Sequence, residues 1–241
     1  MSTFKDSFRV FSHLNSYRVW NVFLLKCGFY LSRISKRYVH LGMPSSLSIE
    51  PTTACNLGCP ECPSGLKQFT RPTGKLDLDL HQRMLNQIKS SVFYVNYYFQ
   101  GEPFLHPQFL DLIIQAKKSN IYTSTSTNGH FINQSKADEI VTSGLDRLII
   151  SIDGLTQDTY EQYRVNGKLQ KVIDASNYLV SSKKRLKSNT PHLIFQFLAV
   201  KPNEHEVPAV FSLANEIGID EVRIKTAQLY DYKHGNRLMP D

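Results

Sequence analysis

From residue 46 onward, short runs rich in β-branched and aromatic residues alternate with longer stretches whose apolar positions recur every three or four residues. The runs 46–50, 94–99, 121–126, 147–152, 193–200 and 221–226 predict six strands. Between them, 78–90, 107–119, 135–143, 168–186 and 205–217 predict five helical regions. Gly144 and Gly218 stand where the third and fifth of these should close, and Leu105-His106-Pro107 leads into the second. Alternation of this kind specifies an α/β fold with a parallel sheet and right-handed crossovers, either doubly wound or a full or partial barrel.

Residues 1–44 follow a different pattern. Val19, Trp20, Phe23, Leu24, Phe29, Tyr30 and Leu31 give one or two helices a broad apolar face, interrupted by Asn21, Lys26 and Arg33. The interruptions come too often for a membrane span of about 20 apolar residues, and no small-residue cleavage site follows as in a signal peptide. The segment is expected to be a helical arm docked on the body, with attachment to an anionic membrane surface as the less favoured reading. The chain therefore divides into an arm, 1–44, and a body, 45–241.

Composition sharpens this picture in one respect. With 41% hydrophobic and 20% charged residues over 241 positions, the chain can bury a core and is not intrinsically disordered. The net charge of +7 is concentrated: residues 1–44 hold seven Lys/Arg against Asp6 alone, a net of +6. Nucleic acid is not the expected partner of the nearly neutral body.

Three of the four cysteines, Cys55, Cys59 and Cys62, fall within the loop after the first predicted strand, while Cys27 sits in the apolar run of the arm. Three thiolates at Cys-x3-Cys-x2-Cys spacing can converge on a soft metal or an iron-sulfur cluster and leave a coordination position open. A disulfide framework is excluded by the low cysteine count and the lack of an export signal, which together predict a cytoplasmic protein. A zinc site completed by His106 or His130 stays open on the residues alone. The other polar clusters also fall at strand ends: Gln100-Gly101-Glu102-Pro103, Ser126-Thr127-Asn128-Gly129, Ser151-Ile152-Asp153-Gly154, Lys201-Pro202-Asn203, and Lys225 on the sixth strand. In a parallel α/β barrel these ends share one face, so their side chains should meet above the sheet.

With these motifs in place, residues 46–228 resemble the radical S-adenosylmethionine enzymes. The resemblance implies a partial (β/α)6 TIM-like barrel in which Cys55, Cys59 and Cys62 bind three irons of a 4Fe-4S cluster. The fourth iron is left for the amino and carboxylate groups of S-adenosylmethionine. It further implies that Gln100, Gly101, Glu102 and Pro103 form the motif that holds the methionine ammonium, with Glu102 as its carboxylate. Ser126, Thr127 and Asn128 would contact the ribose, Ser151 and Asp153 would supply polar contacts, and Arg164 would pair with the methionine carboxylate. Gln100 replaces a glycine of the family motif, and Glu61 stands where an apolar or aromatic residue is common.

The implied activity is reductive cleavage of S-adenosylmethionine to a 5′-deoxyadenosyl radical that abstracts a hydrogen atom, with an electron donor such as flavodoxin or ferredoxin. Ser48-Ile49-Glu50-Pro51-Thr52-Thr53, Cys62-Pro63-Ser64-Gly65 and Lys201-Pro202-Asn203-Glu204 are similar to the subgroup that modifies peptides and carries a cysteine-rich extension for auxiliary clusters. The chain stops at Asp241, before such an extension could begin, so a core without it is expected. A catalytically silent fragment is the rival reading within the same resemblance.

Overall fold

A computed structural model describes residues 2–229, 233 and 235–240. Six parallel strands, β1 (Ser46–Ser48), β2 (Tyr94–Asn96), β3 (Tyr122–Thr127), β4 (Arg147–Ser151), β5 (His192–Ala199) and β6 (Glu221–Thr226), pair in chain order from β1 to β6. β1 and β6 do not pair with each other, so the barrel is open on that side. The outer face of the sheet carries Val95, Tyr97, Leu148, Ile150, Leu193, Phe195 and Phe197, all fully buried. They form one core with Leu85 of α3 (Leu78–Ile88), Leu112 and Ile113 of α4 (Phe109–Lys118), and Ile140 of α5 (Gln134–Thr142). α7 (Leu169–Arg185) adds Val172 and Leu179, and α8 (Val207–Ile217) adds Val210. Burial of such side chains contributes roughly 1.5–3 kcal/mol each, which makes this layer the main source of stability.

The helix ends follow the sequence. Asp77 caps α3 by accepting from Leu80 N–H at 2.9 Å, and Asn133 caps α5 by accepting from Lys136 N–H at 2.8 Å. Gly218 closes α8 at φ 96°, a conformation that favours glycine. One helix was not expected: α6 (Gln157–Tyr163), capped by Thr156, ends on Arg164. Its seven residues bury only Tyr160 and Tyr163, too thin an apolar pattern to stand out. β1 and β2 are shorter than the runs that announced them, because the chain turns away into the cysteine loop and the Gln100 turn.

The inner face of the sheet is unusually polar for a barrel. By strand alternation it carries Asn96, Tyr98, Tyr122, Ser124, Ser126, Arg147, Ser151, Gln196, Arg223 and Lys225, with Ile149, Ile194 and Leu198 between them. Barrel interiors are ordinarily packed with branched apolar side chains, so this one is built to hold something other than itself. Lys225 and Arg223 line a separate cavity of about 440 Å³ with Arg147 and Tyr94, so Lys225 does not join the strand-end group it was expected to join.

The arm consists of α1 (Ser2–Ser12) and α2 (Ser16–Ser35), and it meets the barrel at the end where the strands begin. Asp6 accepts from Tyr122 Oη at 2.5 Å and pairs with Arg147, whose Nε lies 2.9 Å from its carboxylate. Arg18 is 1% exposed, and its two terminal nitrogens donate to the carbonyls of His13, Lys89, Ser119 and Asn120 at 2.6–3.1 Å. Lys89 and Ser119 cap the C-termini of α3 and α4, where unpaired carbonyls and the helix dipole favour a cation.

Candidate active site

The cysteine loop leaves β1 and folds back on itself. Thr52 bridges to Lys75, Leu76 N–H donates to Pro51 C=O at 2.8 Å, and Cys62 N–H donates to Cys59 C=O at 3.2 Å. Gly65 permits the closure, since a Cβ there would stand 2.5 Å from Cys59 N. Behind the loop, Leu57, Cys59, Tyr163, Val200 and Leu238 form a second small apolar cluster. Leu238 is 2% exposed, and Leu238 C=O accepts from Lys201 N–H at 3.1 Å, so the described part of the last segment seals the loop from outside.

Above the C-terminal strand ends lies a cavity of about 400 Å³. Cys55, Cys59, Cys62, Gln100, Gly101, Glu102, Ser126, Thr127, Asn128, Ser151 and Arg164 all line it. Of the residues expected to hold the cluster or cofactor only Pro103 and Asp153 stand outside, and of the other strand-end groups Lys201, Pro202 and Asn203, like Lys225, do not reach it. Pro103 opens a 3-10 turn, Pro103–Leu105, directly behind Glu102. Asp153 is 0% exposed, accepts from Leu198 N–H at 2.7 Å and pairs with Arg164, so it positions that guanidinium and does not face the cavity. Tyr98, Tyr163, Gln196, Leu198, Thr226 and Gln228 also line the cavity and were missed in the sequence, where isolated residues on or beside strands and a short helix give no motif.

Glu102 is 2% exposed and ties β2 to β3. Its carboxylate accepts from Thr127 Oγ1 at 2.9 Å, Asn128 N–H at 2.7 Å and Phe104 N–H at 3.2 Å. Burial pushes the Glu102 carboxyl up to about 7, against the pull of those three donors toward the ionised form. The glycine replaced by Gln100 was not needed for the turn: the positive φ falls on Gly101, at 81°, where a Cβ would stand 2.2 Å from Thr52 O. Gln100 adds bonds instead, its Oε1 accepting from Ser64 Oγ at 3.2 Å and from the Cys62 thiol at 3.4 Å.

Burial pushes the Cys55 thiol up to about 11 and raises that of Cys59, while Arg164 works against the latter. The Arg164 guanidinium lies 3.8 Å from Cys59 Sγ and stacks over Tyr163 at 5.6 Å. Burial works against its charge, but the Asp153 carboxylate beside it holds it protonated. Burial keeps Cys55 and Cys59 as thiols until a soft metal displaces their protons.

The donor set fits a cluster better than a zinc ion. The two histidines proposed to complete a zinc site are engaged elsewhere, which removes them as fourth ligands. His106 Nε2 bonds Leu76 C=O at 2.8 Å and its Nδ1 accepts from Gln108 N–H at 3.1 Å. His130 Nε2 accepts from Lys168 N–H at 2.8 Å, with Nδ1 against Asn128 O at 2.8 Å. Among the described residues no three His, Cys, Asp or Glu side chains already clasp one point as a metal ion requires. Three thiols around an open cavity, with Gln196 Oε1 buried on its wall and unpartnered, suit a larger group that brings its own polar atoms.

The profile of the Radical SAM superfamily matches residues 49–196, well over half of the chain. The chain belongs to the radical SAM superfamily. Membership implies a 4Fe-4S cluster and S-adenosylmethionine. The PqqA peptide cyclase of Gluconobacter oxydans is 27% identical over 199 residues, which cover 82% of this chain and 54% of that protein. The mycofactocin maturase MftC of Mycobacterium ulcerans is 31% identical over 152 residues, covering 62% and 40% respectively. The crystal structure of Streptococcus suis SuiB bound to S-adenosylmethionine shares the fold, with a TM-score of 0.67 at 18% identity over 87% of this chain and 47% of that one. The chain thus spans about half the length of the relatives it matches.

Proposed function

We propose that this chain is the catalytic core of a radical SAM enzyme that modifies a peptide. The observation that carries the proposal is the convergence of Cys55, Cys59 and Cys62 with Glu102, Asn128, Ser151 and Arg164 on one cavity at the C-terminal strand ends. Kinship with a PqqA peptide cyclase and a mycofactocin maturase supports a peptide as substrate. The three cysteines would hold the cluster. When bound, the cluster and S-adenosylmethionine supply an electron and a 5′-deoxyadenosyl radical able to take a hydrogen atom from a nearby carbon.

The protein's part is to place and shelter. Glu102 keeps the end of β2 against Thr127 and Asn128, which fixes the wall where the methionine ammonium and ribose are expected to sit. Ser126 and Ser151 present hydroxyls to the same space. Arg164, oriented by Asp153, presents a permanent positive charge beside Cys59, suited to a methionine carboxylate. Leu57, Tyr163 and Leu198 supply an apolar wall that shields one side of a reactive carbon centre from water. A small redox protein of the flavodoxin or ferredoxin type is proposed as electron donor.

The test is anaerobic reconstitution with iron and sulfide, followed by 5′-deoxyadenosine measured under dithionite, with and without candidate peptides. We expect 5′-deoxyadenosine from the intact chain and none from Cys59→Ala. A reconstituted protein that never yields it would defeat the proposal.

A further inference from the structure

The arm is inside out. On α1 and the turn that follows it, Asp6 and His13 are buried against the barrel while Phe4, Phe8 and Phe11 are 66–78% exposed. At about 100° per residue the three phenylalanines form one stripe on the side opposite Asp6 and His13. α2 repeats the arrangement. Of its buried seam, Arg18 meets the barrel, while Asn21 and Gly28 pack against the returning segment 38–43: Asn21 Nδ2 donates to Met43 C=O at 2.7 Å, and Val39 N–H donates to Ser32 Oγ at 2.9 Å. Val19, Trp20, Phe23, Tyr30 and Ile34 lie on the opposite side, all more than half exposed. Among the described residues, fourteen of the twenty-three exposed large apolar side chains fall in residues 4–43.

Apolar surface of this extent, outside the core and on neighbouring helices, is not accounted for by single exposed residues, which are normal. The charge around it selects the partner. Lys5, Lys26, Arg33, Lys36 and Arg37 are exposed beside the stripes, and the one acidic residue of the segment, Asp6, is buried in its pair with Arg147. A second copy would set these five exposed cations against five more of the same sign. A surface of aromatic and aliphatic side chains edged by lysine and arginine, with no exposed acid, complements an anionic lipid surface. α2 is about 30 Å long, enough to lie in the headgroup plane. No helix among the described residues is long and apolar enough to cross a membrane.

We propose that α1 and α2 rest on an anionic bilayer, their aromatic stripes in the acyl boundary and their basic residues at the phosphates. This revises the expectation of a merely docked arm: its polar face is docked and its apolar face is the contact surface. Asp6 and Arg18 grip the barrel at the end where the strands begin, so the cysteine cavity at the other end faces away from the bilayer.

Trp20 is the chain's single tryptophan, and it lies in the proposed contact. The 241-residue chain is titrated with vesicles of phosphatidylcholine alone and of phosphatidylcholine with phosphatidylglycerol, read by Trp20 emission and by co-sedimentation. Blue-shifted emission and sedimentation are expected with the anionic vesicles only, weakening as salt is raised. Phe8→Ser with Phe11→Ser, at exposed positions, should keep the urea midpoint and weaken binding roughly tenfold or more. Lys36→Gln with Arg37→Gln should weaken it roughly fivefold for each charge removed. Unchanged emission, equal binding to both vesicle types, or a blue shift that appears without lipid as the chain is concentrated would each overturn the proposal.

Discussion

The two ends of the barrel both bury polar side chains, but they use them differently. Where the strands begin, most of the buried groups satisfy one another, with Arg9 Nη1 among the few atoms left over. Arg18 spends both terminal nitrogens on four carbonyls, leaving only Nε over, Asp6 takes Arg147 and Tyr122, and Asp146 takes Lys117 at 2.8 Å and Thr123 N–H at 2.8 Å. Where the strands finish, Ser126, Asn128, Ser151 and Gln196 surround a cavity, and Gln196 Oε1 has no partner at all. Burial of polar residues alone does not mark a site; unspent hydrogen-bonding capacity around a space does.

The contrast can be broken first at the saturated end. Arg18→Ala strips four helix-end and loop carbonyls of their donor and should cost roughly 4 kcal/mol in urea unfolding, while reconstituted iron content stays unchanged. Asp6→Asn leaves the partly buried Arg147 without its counter-charge and should cost about 2–3 kcal/mol, again with no loss of iron. A fall in iron with either variant would mean that the two ends are not independent.

At the other end, Glu102→Gln sharpens the comparison. One carboxylate oxygen that faces a donor becomes an amide N–H, so stability at pH 8 should fall by about 1–2 kcal/mol. Loss of the charge should also weaken S-adenosylmethionine binding roughly tenfold, measured by titration of the reconstituted protein. An unchanged affinity would confine Glu102 to joining β2 and β3.

The smallest expected effect concerns pH. His81 is fully buried between α3, α4 and β2, bonded to Gln115 Oε1 at 2.6 Å and to Tyr97 Oη at 2.7 Å, and burial lowers its pKa below 6.5. The unfolded chain therefore binds the proton more readily, and stability must fall as pH drops below 6.5 toward the lowered value. The slope from this group is at most about 1.4 kcal/mol per pH unit. Urea midpoints between pH 7 and pH 5 check it. A His81→Gln chain that keeps the full slope would assign the effect to other groups.

Much of this was legible in the chain because the informative residues are local. Cys55, Cys59 and Cys62 sit in one loop, and the Gln100, Ser126 and Ser151 segments each end a strand whose alternation is plain. Three kinds of feature were not legible. Tyr98, Gln196 and Thr226 reach the cavity only through strand register, which no short motif encodes. Asp153 looked like a cavity residue by position, but its side chain turned to Arg164, eleven residues on, across a helix too short to predict. The arm's aromatic periodicity read correctly as a helix face, but periodicity does not say which face meets the protein, and here Arg18 and Asp6 decided it.

The central claim is that the three loop thiols, and not the fourth cysteine, hold a cluster at the unsaturated end. Cys27 lies in α2, away from the cavity. Iron per chain after anaerobic reconstitution, measured for Cys27→Ala and for single alanine variants of Cys55, Cys59 and Cys62, tests this most directly. The account predicts about four irons per chain for the parent and Cys27→Ala, and loss of the cluster in each of the other three. Equal iron loss in Cys27→Ala, or a full complement retained without Cys59, would contradict it.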